Sequence, residues 1–94
     1  MPVEIVWSAL ARRRLQEIHE YVSRDKPGAA QSLVLRIVAA VENLRNYPHL
    51  GRAGTNPSTR ELVIGRTPYI VVYRLRADIV RIVTVWHGAQ RQVR

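Results

Sequence analysis

The 94-residue chain has no cysteine. Disulfides, thiolate chemistry and cysteine-ligated zinc are excluded, and His19, His49 and His87 stand apart without a carboxylate cluster, so no metal motif forms. No organic cofactor motif is evident either. Long apolar runs are also missing: nothing approaches the roughly 18 to 20 residues that cross a bilayer. The opening stretch MPVEIVWSALARRR puts its charges after the apolar residues, the reverse of a secretory signal, so a cytoplasmic address without a membrane partner is expected. Acidic residues are few, seven against fifteen basic ones, and the basic set is fourteen Arg and a single Lys. The resulting charge of +8 points to a polyanion or an acidic protein as partner. Arg in place of Lys favours that reading, because the planar guanidinium bonds phosphate or carboxylate bidentately and stacks on bases.

What remains is an ordinary folding composition, 47% hydrophobic and 23% charged, enough for one domain with a single core. Val3 to Trp7 is short, apolar and β-branched, which predicts a strand, and Ser8 can cap a helix behind it. From Ala9 to about Arg24, Ala11, Leu15, Ile18 and Val22 recur at helical spacing, with Arg13–Glu17 and Glu20–Arg24 as outward i,i+4 pairs. SRDKPG breaks this helix, offering Asp25 as a cap and Pro27 in the first turn of a second.

The second helix is predicted from about Pro27 to Asn46. Leu33, Val34, Ile37, Val41 and Leu44 form its main stripe, and Leu35, Val38, Ala39 and Ala40 widen it until only Ser32, Arg36 and Asn43 remain polar. Such a helix should be covered on two sides. Pro48 to Thr59, with Gly51, Gly54 and Pro57, reads as a loop. Three strands follow, Glu61–Ile64, Tyr69–Leu75 and Ile79–Trp86, joined by turns short enough to imply an antiparallel meander. Alternation puts Val71, Tyr73 and Leu75 on one face, and Ile70, Val72, Arg74 and Arg76 on the other. It also puts Arg81, Val83, Val85 and His87 on a common face, so that an open face would carry Arg74, Arg76 and Arg81 at one end and His87 at the other. The class is α+β, in the order β-α-α-β-β-β, with a helical hairpin packed on one face of a small antiparallel sheet.

This order, together with WS, LARRRLQEIHEYV, NLRNYPHLGRAG, TRELVIG, PYIVVYRL and IVTVWHGAQR, resembles the RelE/ParE superfamily of bacterial type II toxins over essentially the whole chain, and the ParE-like members more than the others. The resemblance implies a toxin that blocks growth and is neutralised by a cognate antitoxin. That partner would carry an acidic, partly disordered segment and form a hetero-oligomer with the toxin. RelE-like members are ribosome-dependent mRNA interferases, whereas ParE-like members poison DNA gyrase with no evident catalytic site. Cleaving RNA requires an activated 2′-hydroxyl, a cation for the phosphorane and an acid for the leaving oxygen. The family's nucleases usually place lysines on the strand after the loop and an arginine after the aromatic of the next strand. Here those positions read Glu61, Val63 and Ile70.

The favoured expectation is therefore a gyrase poison with no catalytic residues, which meets its target through the hairpin (Arg12, Arg13) and the tail (Arg91, Arg94). The alternative is an endoribonuclease in which His87 acts as acid or base while Arg60, Arg81 or Arg91 holds phosphate, on a ribosome and mRNA target. The favoured reading of His87 is structural, a residue that bonds backbone or caps the sheet edge. A third reading is an inactive toxin-fold binding module. Tyr69, Tyr73 and Trp86 could stack on bases, with Tyr73 expected in the core. GRAG at Gly51–Gly54 lacks the flanking strand and helix of a phosphate loop.

Overall fold

Ser8 joins the two halves of the molecule. Its hydroxyl accepts from the Ala11 N–H at 2.9 Å, capping the first helix, and donates to the Val83 carbonyl at 2.8 Å on the last strand, 75 residues away. The computed structural model describes residues 2–88. In chain order it contains β1 (Glu4–Trp7), α1 (Ala9–Ser23), α2 (Pro27–Glu42) and a 3-10 turn (Asn43–Arg45). Then come β2 (Arg52–Ala53), β3 (Arg60–Val63), β4 (Tyr69–Arg76) and β5 (Ile79–His87). The expected hairpin-on-sheet α+β architecture is what the chain adopts.

The sheet differs from a plain antiparallel meander in two respects. Its order is β1-β5-β4-β3-β2, and β1 runs parallel to β5, which makes the sheet mixed. Short loops dictate antiparallel pairing only for β3, β4 and β5; β1 reaches β5 through the long crossover that parallel pairing needs. The loop after α2 also contains two strand residues, Arg52 and Ala53, paired with Glu61 and Arg60.

The covered face holds the core. Val71, Tyr73, Val80, Ile82 and Val85 cluster with Ala11, Ile37, Val41 and Leu44 from the helices and the 3-10 turn. α2 is less covered than its composition suggests, because Leu35 lies 60% exposed on its outer side with Ala39 also exposed. Its cap differs as well: Lys26, not Asp25, occupies that position and supplies no side-chain bond, so entry relies on Pro27. On α1 the observed ion pair is Arg14–Glu17 at 3.0 Å, one turn-neighbour away from the expected Arg13–Glu17.

Tyr73 ties the loop to the core. Fully buried, its hydroxyl donates to the Pro48 carbonyl and accepts from the Gly51 N–H, both at 2.8 Å. A Cβ on residue 51 would sit 2.7 Å from the Tyr73 ring and hydroxyl, which is why glycine stands there. Burial raises the Tyr73 phenol above its ordinary value, outweighing the Gly51 hydrogen bond and the nearby Arg60 charge.

Candidate functional site

A bulge decides which side chains reach which face. Val72 pairs with Thr84 but Tyr73 pairs with Ile82, leaving Val83 as the extra residue on β5. Strict alternation across that point fails. Arg81 therefore lies opposite Arg74 on the uncovered face, whereas His87 lies opposite Tyr69 on the helix side. The expected grouping of Arg81, Val83, Val85 and His87 is thus corrected: Val85 and His87 join Val80 and Ile82 toward the helices. Ser8 holds the bulge by bonding the Val83 carbonyl, and its own N–H donates to Ile82.

His87 meets Tyr69 edge-on, ring centroids 5.3 Å apart at 84°. Together they line a cavity of about 370 Å³ with Arg14, Glu17, Tyr21 and Val85 between α1 and the end of the sheet. Burial, and secondarily Tyr21, raises the Tyr69 phenol above its ordinary value. Arg60 is elsewhere: it pairs with Tyr73, about 13 Å along β4 from the Tyr69–His87 pair, and donates to the Gly51 carbonyl at 2.8 Å. His87, Arg60 and Arg81 are thus not brought together, since Arg81 stands on the far side of the sheet. Arg12 and Arg13 are exposed on α1. Arg91 and Arg94 lie outside the described residues.

The uncovered face has two halves. One is apolar, with Val63 paired to Ile70 and Ile70 to Trp86; Val63 is 51% and Trp86 38% exposed. Glu61 is beside it, 4% exposed, accepting from Arg52 at 3.3 Å and from Thr55. Val63, Ile70 and Glu61 thus form an apolar patch and a carboxylate engaged with Arg52. The other half is cationic, where Arg74, Arg76 and Arg81 line a cavity of about 320 Å³ with Ile79. The sequence placed these arginines on one face but gave no sign that Arg74 and Arg81 oppose each other directly. Of the three aromatics considered for stacking, Trp86 alone is on this face; Tyr73 is core and Tyr69 faces the helix side. Both glycine amides of GRAG are spent internally, Gly51 on the Tyr73 hydroxyl and Gly54 on the Thr59 carbonyl, so neither is available to cradle a phosphate. Among the described residues no cluster of three potential metal ligands occurs, and no helix is long and apolar enough to span a membrane.

This arrangement has relatives. Y4kP of Sinorhizobium fredii is 48% identical over 87 residues, covering 93% of this chain and 90% of that protein. Toxin RelE2 of Caulobacter vibrioides is 36% identical over 87 residues, covering 93% and 97% respectively. A solved structure of the chromosomal ParDE toxin–antitoxin system from P. aeruginosa superposes with a TM-score of 0.85 at 23% identity, over 90% of this chain and 95% of that one, a likeness of fold. The family model for the ParE toxin of type II toxin–antitoxin systems matches residues 5–92. With strand order, helical hairpin and sequence in agreement, the chain belongs to the ParE toxins of type II toxin–antitoxin systems, within the ParE/RelE superfamily.

Proposed function

We propose that this toxin arrests growth by binding DNA gyrase and trapping its cleaved-DNA state, a recognition task in which the toxin itself makes and breaks no bond. The observation that carries this reading is the chemistry of the uncovered face. Val63 and Ile70 cannot stabilise a phosphorane, Glu61 would repel one, and His87 is on the opposite face from Arg81. Arg12 and Arg13 on α1, with Arg91 and Arg94 of the tail, are the residues assigned to target contact. Purified gyrase should lose supercoiling activity and accumulate cleaved DNA when the toxin is added. Undiminished supercoiling at high toxin concentration would overturn the proposal.

The competing reading, an mRNA interferase using His87 with Arg60, Arg81 or Arg91, draws on likeness to proteins named RelE toxins. It requires that His87→Ala abolish growth arrest in a protein that still folds. On the gyrase reading that variant stays toxic.

The toxin acts in the cytoplasm and is held by a cognate antitoxin, in keeping with the ParDE system whose fold it shares. A surface at +8 suits an acidic segment that folds as it binds. Capture should then slow steeply as salt is raised. Association rates independent of ionic strength would contradict this.

A further inference from the structure

We propose that Arg74, Arg76 and Arg81 form a phosphate-binding site through which the toxin grips the backbone of duplex DNA. The identification of that DNA with gyrase's cleaved segment rests on the gyrase reading above; the site itself does not.

Arg74 and Arg81 are directly opposed across β4 and β5, and Arg76 follows two residues along the same face. Like charges directly opposite each other on a sheet are destabilising, and nothing among the described residues relieves them. The Arg74 Nε is buried with no hydrogen-bond partner, and none of the three arginines forms a salt bridge among the described residues. Glu4, beside Ile79 on the same face, makes none with them either. Ion pairs do form at other exposed positions, Arg14–Glu17 and Arg45–Glu42, but what sets this cluster apart is the direct Arg74–Arg81 opposition with a buried, unbonded Nε. An uncompensated local cost of this kind is what a binding site carries.

The missing partner is an anion that can take several guanidinium forks at once. Phosphate oxygens accept such forks bidentately, and Arg is the residue suited to them. Arg74 and Arg76 are about 7 Å apart along the strand, on the order of the step between consecutive phosphates of a nucleic-acid strand. A phosphodiester backbone delivers charge at that fixed interval without ordering a flexible chain, whereas an acidic peptide loses entropy to do so. The cavity of about 320 Å³ between the three side chains leaves room for a phosphate group. The neighbouring Ile79 is apolar and gives no competing acceptor.

The test is fluorescence anisotropy of a labelled short DNA duplex with the full chain and no gyrase, over a salt series. The site predicts binding whose log K falls with log salt, and a R74Q/R76Q/R81Q variant whose slope is shallower by about 2.7, from about 0.9 for each of three phosphates. A control, R24Q/K26Q/R36Q, removes the same charge from the hairpin, where all three residues are exposed, and keeps the wild-type slope. The melting temperature of the first variant should not fall, because a like-charge pair has been removed; should it fall, the single variant R81Q, expected to lose about 0.9 of slope, decides. No duplex binding, equal loss in both triple variants, or preference for a poly-glutamate or single-stranded RNA probe overturns the site. Because gyrase is absent, a toxin that blocks supercoiling yet ignores free duplex refutes this site and leaves the gyrase reading standing. Duplex binding without supercoiling inhibition does the converse.

Discussion

The two faces of one sheet solve opposite problems. On the helix side Tyr73 is sealed from water with its hydroxyl bonded twice, amid Val71, Ile82, Ile37 and Val41. On the other side Arg74 keeps a buried nitrogen without a partner, Arg81 faces it, and Trp86 and Val63 are left in solvent. The same strands supply both sets, alternating residue by residue, so the packed core is on one face and opposed charge and exposed apolar surface are on the other. The Val83 bulge keeps this division intact. Without it, the residues of β5 from Thr84 onward would exchange faces, placing His87 on the arginines' face, at its opposite end, and Trp86 toward the helices.

That contrast can be broken from the covered side first. Gly51→Ala should cost most, about 3 kcal/mol, since its Cβ would meet Tyr73 at 2.7 Å and the residue cannot move without losing the hydrogen bond. Tyr73→Phe should cost about 2 kcal/mol by leaving the Gly51 N–H and the Pro48 carbonyl unpaired. Urea denaturation measures both; a change under 0.5 kcal/mol would show that the loop anchor is dispensable. Ser8→Ala comes next, about 1 to 2 kcal/mol, because it removes the α1 cap and the bond to the bulge carbonyl together. Amide exchange should rise at both places in that variant, and loss at the helix end alone would separate the two roles.

Alkaline pH should loosen the same face. Tyr73 and Tyr69 have folded values raised above about 10 by burial, so the native state holds their protons more tightly than the unfolded one. Their contribution is complete below about pH 10 and is lost as pH climbs through the folded values. Stability should therefore fall above pH 10, and less so in Tyr73→Phe; an unchanged alkaline slope in that variant would remove Tyr73 from the explanation. The open face gives the smallest effect: Arg74→Gln or Arg81→Gln should shift stability by about 0.5 kcal/mol or less, in the stabilising direction. Marked destabilisation by either would mean that the arginines support the fold.

Much of this division was legible in the sequence, and its misreadings have identifiable causes. Helix periodicity located α1, and the burial of Tyr73 followed from alternation along a strand flanked by β-branched neighbours. The face of His87 differs from strict alternation because a parity rule carries no information about an inserted residue. The adjacent apolar pair Ile82-Val83, which interrupts alternation, is the mark the bulge leaves in the sequence. The parallel pairing of β1 depends on which strand edge the returning chain finds, a long-range matter that composition does not encode. β2 leaves no mark in the sequence, because two residues paired to Arg60 and Glu61 have no periodicity to display. That residues 61, 63 and 70 are a carboxylate and two apolar side chains is read directly from the sequence, while the engagement of Glu61 with Arg52 and Thr55 needed the fold.

The central claim is that this toxin recognises and does not cut. The most direct measurement is induced expression of the wild-type chain with two readouts taken together, primer extension on abundant mRNAs and nucleoid morphology with the DNA-damage response. The account predicts filamentation and DNA damage while transcripts remain intact. Codon-phased mRNA cleavage within minutes of induction, without DNA damage, would contradict it.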